Sequence, residues 1–103
     1  MNDRNQPITY NQSEMTTRVK ICCISNIREA QTAISFGASA IGLVGEMPSG
    51  PGPISDELIR QIAAATPPPV ATFLLTSRTS VSQIADHHRS TLTSTVQIVD
   101  ALA

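Results

Sequence analysis

The sequence predicts an α/β domain built from parallel strand–helix–strand units in the order β-α-β-α-β-α-β. Three observations predict it. Apolar runs rich in β-branched residues (19–24, 40–44, 70–75 and 96–99) recur at intervals of roughly 20–30 residues. Between them, apolar residues repeat at helical spacing behind Ser or Asn residues suited to N-capping. The runs themselves are apolar on both faces rather than alternating, as strands buried in a parallel sheet are.

Residues 1–17 are polar, rich in Asn, Gln, Ser and Thr, and are expected to form a flexible lead-in; Met15 is an alternative start. Order is expected from Arg18, so that 18–103 is the folded unit. Val19–Ile24 is the first strand. Ser25-Asn26 offers an N-cap, Glu29 stands near the positive end of the helix dipole, and Ile27, Ala30, Ala33 and Ile34 form the apolar stripe. Gly37 ends that helix where a left-handed residue is commonly needed. Ala40–Val44 is the second strand, followed by the Gly- and Pro-rich loop 45–53. Ser55 caps the second helix, whose stripe carries Ile59 and Ile62, and Pro67-Pro68-Pro69 stops it. Val70–Leu75 is the third strand. Ser80 or Ser82 opens a third helix around Val81, Ile84 and Ala85, and Val96–Val99 is the fourth strand.

Composition narrows the function classes. The formal net charge is −1, with one Tyr, two Phe and no Trp. Nucleic-acid binding therefore has neither a basic footprint nor stacking residues. No apolar stretch approaches the ~20 residues that span a bilayer, and the first residues hold no secretory apolar core, so no membrane partner and a cytoplasmic location are expected. Cys22 and Cys23 are adjacent, and neighbours on a strand point to opposite faces, so they are expected as free thiols in a reducing compartment. His87-His88 are not at metal-ligand spacing. They are expected as a solvated pair on or just after the third helix, away from the strand ends.

The pattern leaves both a doubly wound open sheet and part of a barrel open. A dinucleotide-binding Gly-x-Gly-x-x-Gly does not follow the first strand, and there is no Gly-Lys-Ser/Thr phosphate loop. The run Val19-Lys20-Ile21-Cys22-Cys23-Ile24-Ser25-Asn26, however, resembles the opening strand of the phosphoribosylanthranilate isomerases, usually Val-Lys-Ile-Cys-Gly-Ile-Thr. The segment Ala33–Val44 is similar to that family's first helix and second strand. Ile54-Ser55 with the helix behind it resembles the next unit, and Val96-Gln97-Ile98 the fourth strand. The resemblance runs from Arg18 to Asp100. It implies the amino-terminal half of a (β/α)₈ TIM barrel, with the active site at the carboxyl ends of the strands. It also implies an Amadori rearrangement in tryptophan biosynthesis. In that reaction a general acid opens the ribose ring of phosphoribosylanthranilate and a general base removes the C2 proton, without a cofactor.

By this resemblance Cys22 takes the general-base position, a role open to a thiol of lowered pKa. Lys20, two residues earlier on the same strand face, is its supporting residue, since a nearby ammonium favours a thiolate. Three positions depart from the family pattern. Cys23 replaces a glycine, which suggests that the backbone constraint requiring glycine is gone, the alternative being a second thiol in the site. Gly52 stands where the family has an arginine that helps hold the anthranilate carboxylate. Val99 replaces a histidine. Asp100 is read as a surface cap, not as the acid, which in the family comes from a later strand along with the phosphate-binding loops. The chain is therefore expected to be isomerase-like but incomplete, taking a phosphorylated small molecule if active. Open sheet edges invite self-association or a complementary half barrel. The alternative is a non-catalytic binding or regulatory barrel of the same lineage.

Overall fold

The computed structural model describes residues 17–102. Its elements are β1 (Lys20–Ile21), α1 (Ile27–Ser35), β2 (Ala40–Val44), α2 (Asp56–Ala65), β3 (Ala71–Thr76), α3 (Val81–Thr91) and β4 (Thr95–Ile98). The four strands form one parallel sheet in chain order β1-β2-β3-β4. Helices next to each other in sequence also touch, α1 against α2 and α2 against α3. A doubly wound sheet would send successive crossovers to both faces and reverse its strand order. A single winding with neighbouring helices in contact is the arrangement of a barrel segment. The lead-in expected over 1–17 lies, apart from Thr17, outside the described residues.

The sheet divides its residues by alternation. Ile41 and Leu43 of β2 and Leu74 of β3 point to the helices, where they meet Ile24, Ala30, Ile59 and Ile62 in one buried cluster. Lys20, Cys22, Gly42, Val44, Phe73, Leu75 and Gln97 belong to the opposite face. Each helix starts on a capping side chain: Asn26 accepts from the Glu29 N–H, Ser55 from Leu58 and Ser80 from Gln83. Of the two serines offered for α3, Ser80 is the cap. At α1 a second contact braces the cap, because Glu29 Oε1 accepts from both the N–H and the hydroxyl of Ser25, the residue before the cap, at 2.8 Å.

Two expectations are corrected. The first strand is shorter than Val19–Ile24. Cys23 has φ +58°, which breaks the strand, although Ile24 N–H still donates to Gly42 O at 3.1 Å. Nor are His87 and His88 solvated. His87 is 4 % exposed and His88 is half-buried. Ile84, His87 and Thr91 are spaced at i, i+3 and i+7, which puts His87 on the inward stripe of α3.

Candidate active site

Cys22 follows β1 directly, at the carboxyl end of the strand, and its thiol lies over Gly42 of β2. A Cβ at Gly42 would stand 2.8 Å from Cys22 Sγ and 3.1 Å from Cys22 Cα, so only glycine lets the first strand's end settle against the second. Cys22 and Cys23 are both exposed and line the same groove of about 700 Å³, between the free edge of β1 and α1, with Ile21, Ile24, Asn26, Glu29 and Phe36.

Lys20 shares its face with Cys22, as alternation predicts. Its ammonium is engaged across the sheet, donating to Gln97 Oε1 of β4, and stands 4.8 Å from the Phe73 ring centroid. Nothing local in the sequence marks Gln97 or Phe73 as its partners. Their contact depends on the curvature that brings β4 towards β1 across two intervening strands.

Cys23 overturns the expectation that its position had lost its backbone constraint. The residue occupies the left-handed region, where a side chain costs about 1–2 kcal/mol relative to glycine. The constraint persists and a thiol is accommodated within it. Space comes from Gly52, at φ +96°: a Cβ there would stand 2.9 Å from Cys23 Sγ. Desolvation by its surroundings first, then hydrogen bonding with Cys22 and the charge of that residue's thiolate form, push the Cys23 thiol up from its ordinary range. Glu29, at the lip of the groove, is held below the usual carboxylate range by the Ser25 N–H and then by the Ser25 hydroxyl.

Val99 is exposed beyond β4, with its N–H donating to Thr76 O at 3.2 Å. Asp100 is exposed and accepts from the neighbouring Ala101 N–H at 2.8 Å. Neither is brought to Cys22 by any contact among the described residues.

A second polar cluster was not legible in the sequence. His87 Nδ1 lies 2.7 Å from Thr76 Oγ1, at the carboxyl end of β3, and Nε2 lies 2.9 Å from Asp56 Oδ1, the first residue of α2. The Arg78 N–H already donates to Thr76 Oγ1 at 3.2 Å. Assigning the ring proton to Nε2 therefore lets the imidazole donate to Asp56 and accept from the threonine hydroxyl. Gly45 makes room, since a Cβ there would be 2.6 Å from His87 Cε1. Thr76 is fully buried, so the cluster ties β3, α2 and α3 together and presents no nucleophile. His87 is thus near a strand end after all, on its helix side. Among the described residues no group of three or more His, Cys, Asp or Glu could hold a metal ion, and no helix is long and apolar enough to cross a membrane.

No family model matches the chain. Among curated proteins it is 32 % identical over 83 residues to N-(5'-phosphoribosyl)anthranilate isomerase of Halobacterium salinarum, covering 80 % of this chain and 38 % of the relative. The chain thus spans under two-fifths of that relative's length. Among solved structures, phosphoribosyl anthranilate isomerase of Thermotoga maritima matches with a TM-score of 0.72 and 32 % identity, over 80 % of this chain and 40 % of that one. Another phosphoribosyl anthranilate isomerase structure, in complex with reduced 1-(o-carboxyphenylamino)-1-deoxyribulose 5-phosphate, matches with the same TM-score and identity over 42 % of its length. Single winding, strand order and these similarities agree: the chain is the counterpart of the amino-terminal portion of a phosphoribosylanthranilate isomerase barrel.

Proposed function

We propose that this chain supplies the first four strands of an aldose–ketose isomerase site acting on a phosphorylated aminosugar, with Cys22 as the general base. The observation that carries the reading is the position of Cys22. It sits at the carboxyl end of the first parallel strand, exposed, with its thiol over a glycine that leaves it room. A base there can take a carbon-bound proton beside a developing carbonyl while an acid elsewhere opens the sugar ring. The related structure with a bound deoxyribulose phosphate supports the substrate class. In the family pattern the acid and the phosphate-binding loops come from strands later than these four.

Lys20 is read as a positioning residue that joins β1 to β4 through Gln97. Gly52 removes the guanidinium that would clamp a carboxylate. An anthranilate carboxylate in this site is therefore held less tightly than in arginine-bearing relatives. Free thiols at both cysteines suit a cytoplasmic setting. The apolar residues Val19 and Ile21 at one edge of the sheet and Ile98 and Val99 at the other are exposed. They suit pairing with further strands, whether of a complementary half barrel or of a second copy.

The test joins this chain to the complementary strands of the Thermotoga maritima barrel and asks whether the fusion restores growth to a tryptophan auxotroph lacking the isomerase. Growth lost on Cys22→Ser is the expected result. Growth that survives the substitution would remove Cys22 from the chemistry. No growth from a soluble, folded fusion would remove the activity.

A further inference from the structure

The family pattern has one cysteine at this strand end, and this chain has two. On a regular strand the two side chains would diverge to opposite faces. The left-handed backbone at Cys23 breaks that alternation, and both side chains turn towards β2 and the loop that follows it. Each is seated against a glycine, Cys22 over Gly42 and Cys23 over Gly52, and each remains exposed. The Cys23 thiol has one further contact, a long one of 3.9 Å to Pro51 O. Neither thiol is tied up in a disulfide.

From this geometry we infer that Cys22 and Cys23 form a two-thiolate site for a soft, thiophilic cation of low coordination number, of which Cu(I) is the first-row member. Softness follows from the donors, since thiolates select Cu(I) and zinc over hard cations. Low coordination number follows from their count. No third His, Cys, Asp or Glu joins the pair among the described residues, so the four protein ligands of a structural zinc centre are not assembled here. Binding displaces one proton from each thiol, and affinity therefore rises with pH. Occupation would remove Cys22 from proton transfer. That consequence rests on the proposed function, whereas the binding does not.

The experiment titrates the chain anaerobically with Cu(I) against a chromophoric chelator, using wild type, Cys22→Ser and Cys23→Ser, with Zn2+ and Mg2+ in parallel. Both thiols are exposed, so the serine variants keep the fold, and circular dichroism verifies this. The expected result is one Cu(I) per chain, at least roughly 100-fold weaker in either serine variant, with Mg2+ not competing. Three results would overturn the inference: no stoichiometric Cu(I) binding by wild type, a Cys23→Ser variant that binds within about threefold of it, or Zn2+ bound as tightly as Cu(I). None of these outcomes depends on isomerase activity.

Discussion

Replacing His87 by alanine tests the least expected contact in the fold. The imidazole is 2 % exposed and bonds Thr76, which is fully buried, and Asp56, whose side chain is 43 % exposed. Truncation leaves a void of roughly 60 Å³, which at ~24 cal/mol per Å³ costs about 1.5 kcal/mol. The lost bond to the Thr76 hydroxyl adds about 1 kcal/mol, because a buried donor is left without a partner. Asp56 is exposed enough to rehydrate, so its bond counts for less, and alanine returns about 0.5 kcal/mol in helix propensity. The net destabilisation is about 2–3 kcal/mol, read from urea unfolding monitored by circular dichroism. Gly45→Ala supplies the cross-check. Its new methyl strikes His87 Cε1 at 2.6 Å in the wild type, so it destabilises that background and is better tolerated once His87 is alanine. A cost under 1 kcal/mol for His87→Ala, or equal costs of Gly45→Ala in both backgrounds, would refute the packing argument.

Gly42→Ala places a methyl 2.8 Å from Cys22 Sγ and 3.1 Å from its Cα, and backbone cannot swing aside as a side chain can. We expect a loss of about 2 kcal/mol in urea unfolding that Cys22→Ala only partly restores. Glu29 has its folded pKa below the unfolded one. Its contribution is therefore complete above the ordinary glutamate range and is lost as pH falls through the lowered folded value. Glu29→Gln should flatten that part of the acid limb of a stability-versus-pH profile, and an unchanged limb would count against the Ser25–Glu29 hydrogen bonds.

The elements that were legible in the sequence are those whose signals are local. Ala40–Val44 is an apolar run bounded by Gly37 and Gly45, and it forms the strand with the same limits. Asn26, Ser55 and Ser80 are capping residues immediately ahead of apolar periodicity, and each accepts the expected N–H. Cys22 and Lys20 were assigned to one face from alternation alone. What was not legible depends on neighbours distant in the chain. Asp56 and His87 are 31 positions apart and Lys20 and Gln97 are 77 apart, and nothing in their own surroundings pairs them. The local pattern of α3 did hold one unused signal, the position of His87 on the stripe of Ile84 and Thr91. At β1 local propensity was misleading: six residues read as strand, yet a left-handed Cys23 interrupts them.

Cys23 and Gly52 are better understood as one change than as two. By the resemblance, cysteine and glycine stand in this chain where the family pattern has glycine and arginine. The structure supplies a steric reason for coupling the two: Cys23 Sγ occupies the space that a side chain at 52 would need, 2.9 Å from a Cβ there, with Cys23 Cβ at 3.1 Å. Gly52→Arg alone must displace that thiol and also adopt φ +96°. With Cys23→Gly the steric conflict disappears and only the backbone strain at 52 remains. Cys23→Gly by itself should be neutral or stabilising by up to about 1 kcal/mol, since it relieves a left-handed side chain but loosens the unfolded chain less favourably. In a double-mutant cycle followed by urea unfolding, the pair should therefore be about 1–2 kcal/mol less destabilising than the sum of the singles. Additivity within about 0.5 kcal/mol would mean that the two positions changed independently. Coupling would mean that the loss of the arginine and the gain of the second thiol are a single exchange of volume at the end of the first strand.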